Sequence, residues 1–187
     1  MLCVSAAVLL KFGKQCLQAA SDLQEVANVV DVTFGKTASI VNQWAKEQAA
    51  DFGLSETAAK RYIGTFGTMA KQFGLTSEQA AKMGIELTKL TSDVSSFYNL
   101  DNAAAYTKIK SVFTGETESL KELGVVMTEA QLSQYAMSKG ITKTLKDMTE
   151  NEKVLLRYNF VMEQLSHTQG DFARTSDGWA NSLRRFS

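Results

Sequence analysis

The sequence contains no proline. Proline removes a backbone donor and clashes with the preceding helical turn, so its absence leaves long helices without that kind of kink or stop. A chain of 187 residues would carry roughly nine prolines at the average usage of about 5%. The residue stock is instead Ala, Leu, Lys, Glu, Gln, Met and Thr, most of which favour helix. The composition therefore favours an all-α protein.

Cysteine and histidine are also scarce: Cys3, Cys16 and His167 are the only such residues. If both cysteines lie on one helix, they are about 20 Å apart at ~1.5 Å per residue. A disulfide needs Cα atoms within about 7 Å, so an intrachain bond is not expected and a reducing compartment is favoured. The spacing fits no metal site. A Ser–His–Asp site would have to use His167, which no nucleophile motif accompanies.

Neither sign of charge is in excess, with 20 Lys plus Arg and 20 Asp plus Glu. This balance lacks the basic footprint of a nucleic-acid or anionic-membrane binder, so we expect no sequence-specific nucleic-acid partner. The first stretch, "MLCVSAAVLLKFGKQCLQAA", is too short to span a bilayer, and no basic region precedes its apolar part. Its apolar residues recur at helical spacing, which predicts an amphipathic helix.

One phrase occurs twice: "FGLSETAAK" starts at residue 52 and "FGLTSEQAAK" at residue 73. Gly53 and Gly74 stand where a left-handed residue would end a helix, and a leucine follows each. Ser55 and Thr76 then provide good N-caps for the next helix. The repeated phrase therefore predicts two corners between helices, and it concerns shape rather than chemistry.

Further helix starts follow the same pattern. Asp101 is a good N-cap, and Thr128 with Gln131 and Thr149 with Glu152 have the spacing of capping boxes. Between these starts apolar residues keep helical spacing, and no alternating run indicates a strand. The predicted helices cover residues 2–30, 36–51, 56–72, 77–98, 102–113, 117–123, 129–138, 150–167 and 176–186.

These patterns predict an all-α fold: an elongated multi-helix bundle of antiparallel helical hairpins, with no sheet. We expect residues 1–187 to form a single helical region, with a helical arm over 1–35 and a bundle over 36–187. Aromatic residues at helical spacing are expected in the core rather than on a base-stacking platform, namely Phe66, Phe73, Phe97, Tyr98 and Phe113.

One stretch, "FGKTAS", partly matches a phosphate-binding loop. Its Gly35, Lys36 and Thr37 correspond to the tail of that motif. The full pattern needs a glycine five residues earlier, and Val30 stands there. No strong strand leads into the stretch either. We therefore predict no cofactor site.

Paired carboxylates offer the other candidate chemistry. Glu116 with Glu118, and Glu150 with Glu152, could in principle serve as acid and base. All four stand beside predicted helix starts, where acidic side chains favour the positive end of the helix dipole. We interpret them as helix-start residues and predict no catalytic and no metal-binding residue.

Several long phrases, taken in order, resemble one family. The chain resembles the N-terminal conserved region of the tail tape measure proteins of long-tailed bacteriophages, also described as phage-related minor tail proteins. The phrases are "ASDLQEVANVVDVTFG" (20–35), "FGLSETAAKRYIGTFGTMAKQFGLT" (52–76), "SSFYNLDNAAAYTKIKSVFTGETESLKELGVVMTEAQLSQYA" (95–136) and "LLRYNFVMEQLSHTQGDFARTSDGWANSLRR" (155–185).

The resemblance implies a structural virion protein, not an enzyme. Such a protein sets tail length and scaffolds assembly of the tail tube from within its lumen, and it leaves ahead of the DNA at infection. The implied partners are the tail tube protein and tail assembly chaperones. The narrow apolar seams of the predicted helices separately lead us to expect self-association, and we also expect transient membrane contact at infection. The implied location is the tube lumen, after the bacterial cytoplasm during assembly. The family has no catalytic residues in this region.

One departure concerns length. Tape measure proteins are much longer than 187 residues, so we expect a fragment of a longer protein, of phage or prophage origin. Two alternatives stay open. One is a membrane-active helical module that aids DNA delivery through the N-terminal helix. The other is a helical hydrolase that uses Glu116 or Glu150.

Overall fold

The computed structural model describes residues 6–175. Over that range the chain is helical without a strand, which confirms the predicted all-α fold class. Short 3₁₀ turns cover Gly35–Thr37 and Ala49–Phe52. The α-helices are α1 (Ala6–Phe34), α2 (Ala38–Glu47), α3 (Glu56–Gln72), α4 (Ser77–Phe97), α5 (Asn102–Ile109), α6 (Ser111–Thr114), α7 (Glu118–Lys121), α8 (Glu129–Ser138), α9 (Glu150–Gln164) and α10 (Asp171–Arg174).

The helix bounds differ from the predicted ones at several ends. α1 continues four residues past its predicted end, because Val30 and Phe34 pack in the core and outweigh the low helix propensity of this β-branched stretch. The helix predicted over 36–51 is divided between α2 and the two 3₁₀ turns, and the one over 102–113 between α5 and α6. α10 was not predicted, and the helix predicted over 176–186 lies outside the described residues.

The repeated phrase forms two corners as predicted. Gly53 and Gly74 have φ of 64° and 89°, in the left-handed region. At each corner the N–H of the following leucine donates to the carbonyl five residues back, at 3.1 Å for Leu54 and 3.2 Å for Leu75. This is the Schellman arrangement of a helix C-terminus. A third corner of the same kind follows α4, where Asn99 has φ of 52°.

The predicted N-caps are confirmed by hydrogen bonds. Ser55 and Asp101 each accept a bond from the backbone N–H three residues on, at 3.2 Å and 2.7 Å. The threonines at 76, 128 and 149 form complete capping boxes with their partners at 79, 131 and 152. Each corner therefore stops one helix and starts the next within a few residues.

Close packing of α1, α3 and α4 depends on glycines. A Cβ added at Gly84 of α4 would lie 3.0 Å from the carbonyl oxygen of Ile63, so α3 and α4 approach closely as an antiparallel hairpin. α1 also packs on α3 and runs parallel to it, because Val29 lies against Gly64 and Thr33 bonds Thr68 further along both helices.

The core is centred on aromatic residues from α3, α5 and α6. The rings of Tyr62 and Tyr106 stack with centroids 4.4 Å apart, and Phe66 lies 6.1 Å from Phe113. Phe66 and Phe113 are buried, as predicted. Phe97 was expected in the core and is 47% exposed. The prediction was wrong there because Phe97 lies at the surface of α4, where its ring meets those of Tyr98 and His167 edge-on.

A buried carboxylate attaches the last described turn to the bundle. Asp93 of α4 is 4% exposed and accepts bonds from the backbone N–H groups of Gly170 at 2.8 Å and Phe172 at 3.1 Å. Burial raises the pKa of Asp93, against the effect of these two donors. The ring of Phe172 lies directly over Gly53. These contacts hold α10 against both α4 and the corner at Gly53.

Candidate functional site

A groove between α8, the segment that follows it and α9 is the strongest candidate for a functional site. Its volume is about 830 Å³, within the roughly 300–1,000 Å³ typical of ligand pockets. Met148 and Leu156 are buried at its base, and Ile141 is 38% exposed beside them. Leu155 and Met162 complete the apolar surface. The groove can therefore accept an apolar group.

Two ion pairs stand at the edge of this groove. Lys139 bonds Glu163 at 2.7 Å, and Lys143 bonds Glu152 at 2.6 Å. Lys139 lowers the pKa of Glu163, and Lys143 lowers the pKa of Glu152 from 4.5 to about 2. Both carboxyls are therefore ionised at neutral pH, so neither is suited to donate a proton as a general acid.

The residues that line the groove include Ser166 but no histidine or cysteine. A Ser–His or Cys–His pair is thus not assembled from them. His167 follows Ser166 in the chain yet lies elsewhere: its ring meets that of Phe97 edge-on, and its Nε2 is 3.4 Å from the Tyr98 hydroxyl. The groove is a binding surface with an apolar base and a paired, charged edge.

The acidic candidates from the sequence lie at helix starts. Glu152 belongs to the capping box of α9, and Glu150, in the first turn, bonds Lys153 at 2.7 Å, which lowers its pKa. Glu118 opens α7 and bonds Lys121 at 2.6 Å. Glu116 is exposed just before α7. The structure does not bring these residues together as an acid–base pair across a cleft.

Gly35, Lys36 and Thr37, which match the tail of a phosphate-binding loop, form the 3₁₀ turn between α1 and α2. Gly35 has φ of 54° there. The Thr37 hydroxyl donates to the carbonyl of Phe34 at 2.8 Å, so it caps the end of α1. Lys36 is exposed. These residues therefore form the turn that connects α1 to α2.

Metal ligation and membrane crossing are not indicated by the part of the chain that the structure describes. Over residues 6–175, no three side chains of His, Cys, Asp or Glu come together as a metal-binding group. None of the helices within those residues combines the length and apolarity that crossing a membrane requires. Cys16 is a free, exposed thiol on α1, and Cys3 lies outside the described residues.

Reasoning from the sequence missed the groove. Its lining comes from three segments, one of them the irregular stretch between Lys139 and Thr149. The available signal was a second apolar face on α9, where Leu155 and Met162 stand beside the buried stripe. That signal shows apolar surface but not the stretch of chain that faces it.

Comparison of the chain with known protein families, with curated proteins and with solved structures finds no match.

Proposed function

We propose that this chain is a structural protein of a bacteriophage tail: the N-terminal part of a tape measure protein that sets tail length. In this role it scaffolds the tail tube from within the lumen and is released when the genome is ejected. Its partners are the tail tube protein and tail assembly chaperones, which it meets in the bacterial cytoplasm before it enters the virion. The proposal assigns no catalytic step to any residue.

The observation that carries the proposal is the resemblance of four long phrases, in order, to that family. Those phrases are not surface segments alone. They contain Val30 and Phe34 of the α1 face that packs in the core, the corners at Gly53 and Gly74, and the Asp171–Phe172 turn held by α4. The resemblance therefore covers residues that determine the packing of the helices, as expected for a shared structural role.

In-frame deletion of codons 38–175 from the phage or prophage that carries the gene tests the proposal. We expect induced cells to release heads without normal tails, because the scaffold for tube assembly is missing. The intact gene supplied in trans should restore tails. Electron microscopy of negatively stained particles gives the readout.

A matched variant separates this proposal from the hydrolase alternative. Glu116→Gln combined with Glu150→Gln removes the carboxylates that a hydrolase would use but leaves the helices in place. We expect normal tails and normal infection from this variant. Normal tails after the deletion would overturn the structural proposal. Normal tails with failed infection in the double variant would favour the enzyme instead.

A further inference from the structure

A second pocket lies between the end of α6, the start of α8 and the first two turns of α9. Its volume is about 570 Å³, again within the range of ligand pockets. Three buried apolar side chains line it, namely Met127, Leu132 and Leu156, the last of which it shares with the groove. Arg157 of α9 lines it too and is half-buried. The pocket therefore combines apolar surface with a partly desolvated cation.

Backbone carbonyls, rather than a carboxylate, hold the guanidinium of Arg157. Its Nη1 donates to the carbonyl of Phe113 at 3.0 Å, and its Nε donates to the carbonyl of Lys153 at 3.3 Å. Gly115 permits this position, because an added Cβ there would lie 2.7 Å from Nη1. Among residues 6–175, no acceptor is bonded to Nη2. One edge of the guanidinium is thus available to a ligand.

The charge of Arg157 is not matched by the acidic side chains around it. No ion pair joins it to a carboxylate in the described part of the chain, since Glu150 bonds Lys153 instead, at 2.7 Å. Burial lowers the pKa of Arg157, and the nearby Glu150 opposes this only in part. The other charged side chains that line the pocket, Lys146 and Glu129, are exposed and opposite in sign. Because a half-buried cation is normally paired, this environment favours an anion in the pocket.

We propose that this pocket binds a small carboxylate with an apolar tail: the carboxylate meets Arg157, and the tail lies on the three buried apolar side chains. A carboxylate matches the planar guanidinium in shape and charge, and the bond is charge-assisted. The Thr117 hydroxyl also lines the pocket, bonds none of the residues from 6 to 175, and is available as a further donor. The proposal is independent of the tail function, because it rests on the pocket alone.

Nuclear magnetic resonance of the isotope-labelled full chain gives the first test. Octanoate is the probe, acetate supplies the carboxylate without the tail, and octanol supplies the tail without the carboxylate. We expect octanoate to shift the backbone amide signals of Gly115 and Arg157 and the Nε–H signal of the Arg157 side chain. Acetate and octanol should bind about tenfold more weakly or worse, because each lacks one of the two contacts.

Three variants locate the bound carboxylate. Arg157→Met removes the charge and keeps most of the side-chain length, so octanoate should bind about tenfold more weakly while octanol is unaffected. Lys143→Gln is the matched control, because Lys143 lies at the edge of the groove, where an apolar tail could bind instead; octanoate affinity should not change. Glu150→Gln removes a negative charge from the pocket and should tighten octanoate binding. Circular dichroism checks that each variant keeps its helix content.

The comparison of octanoate with octanol on the unaltered protein stands even if Arg157→Met does not fold. Equal affinity for the two compounds would overturn the proposal. So would a folded Arg157→Met variant that binds octanoate normally, or shifts confined to the groove around Lys143. The absence of any shift at Gly115 and Arg157, up to the solubility limit of octanoate, would overturn it as well.

A peptide probe distinguishes two sources of the same ligand chemistry. Acetyl-leucyl-leucine has a terminal carboxylate and apolar side chains, like octanoate, but it also carries peptide groups. If it binds more tightly than octanoate and loses affinity in Arg157→Met, the ligand is the C-terminal end of a polypeptide. If octanoate binds more tightly, the ligand is a fatty acid. Both results support a carboxylate site at Arg157.

Discussion

Replacing Gly53 by alanine tests the packing at the first corner most sharply. Gly53 has two roles: its φ of 64° ends the 3₁₀ turn, and its lack of a side chain makes room for Phe172. An added Cβ would lie 2.4 Å from Cζ of that ring and 2.6 Å from Cε2. Such distances are far shorter than an ordinary contact, and Phe172 is only 1% exposed, so the ring cannot turn into solvent.

The repeated phrase supplies a control for this substitution. Gly74 occupies the same place in the second corner, with φ of 89°, but the nearest atom to an added Cβ is the Asn151 amide nitrogen at 3.6 Å. Alanine at a left-handed position costs about 1–2 kcal/mol at either corner. Overpacking against Phe172 adds about 1–3 kcal/mol at Gly53 alone. We therefore expect Gly53→Ala to lower the free energy of unfolding by about 2–5 kcal/mol and Gly74→Ala by about 1–2 kcal/mol.

Urea denaturation followed by far-UV circular dichroism measures both losses. Phe172→Leu removes the ring atoms that the new Cβ would touch, so the excess cost of Gly53→Ala should largely disappear in that background. Equal losses at the two glycines would refute the reasoning, and so would an excess at Gly53 that Phe172→Leu leaves unchanged.

Three further predictions concern helix ends. Asp93→Ala removes the acceptor of the Gly170 and Phe172 N–H groups at the start of α10. We expect a loss of about 1–3 kcal/mol and faster hydrogen exchange at residues 170–175, and unchanged exchange would contradict it. Thr149→Ala should cost about 1 kcal/mol in urea denaturation, whereas Thr149→Ser should cost little. The ion pair with Lys143 and the bonds to Thr149 lower the pKa of Glu152 from 4.5 to about 2. Because the folded-state pKa is the lower one, these contacts stabilise the fold fully above pH 4.5, and their contribution is lost as the pH falls through about 2. The stability difference between the protein and Glu152→Gln should shrink over that range, and a difference independent of pH would be evidence against the pairing.

The parts of the fold that the sequence predicted are local. Gly53, Gly74 and their N-caps act through bonds to residues at most five positions away, so the phrase alone specifies them. The third corner at Asn99 obeys the same rule with asparagine, which tolerates the left-handed region. Helix starts and stops were accordingly predicted well for α3, α4 and α8.

The parts that the sequence did not predict join distant residues. Asp93 and Gly170 meet across 77 positions of the chain, and nothing near Asp93 shows that its carboxylate will hold a backbone turn. The groove also joins separate segments of the chain, because the irregular segment after α8 faces α9 across it. The exposure of Phe97 has the same origin, because helical spacing places it on the stripe of Leu90 and Val94 but does not show which neighbours cover its ring. Such features depend on which helices pack together, and spacing along one chain does not specify that.

The most direct test of the proposed tail function is the position of the chain in virions. Purified particles should be treated with protease before and after ejection is triggered, then probed with antibodies against residues 38–175. We predict that intact virions protect the chain completely, and that the chain leaves with the genome and becomes cleavable. Absence of the chain from virions, or its digestion in particles with intact tails, would contradict the account.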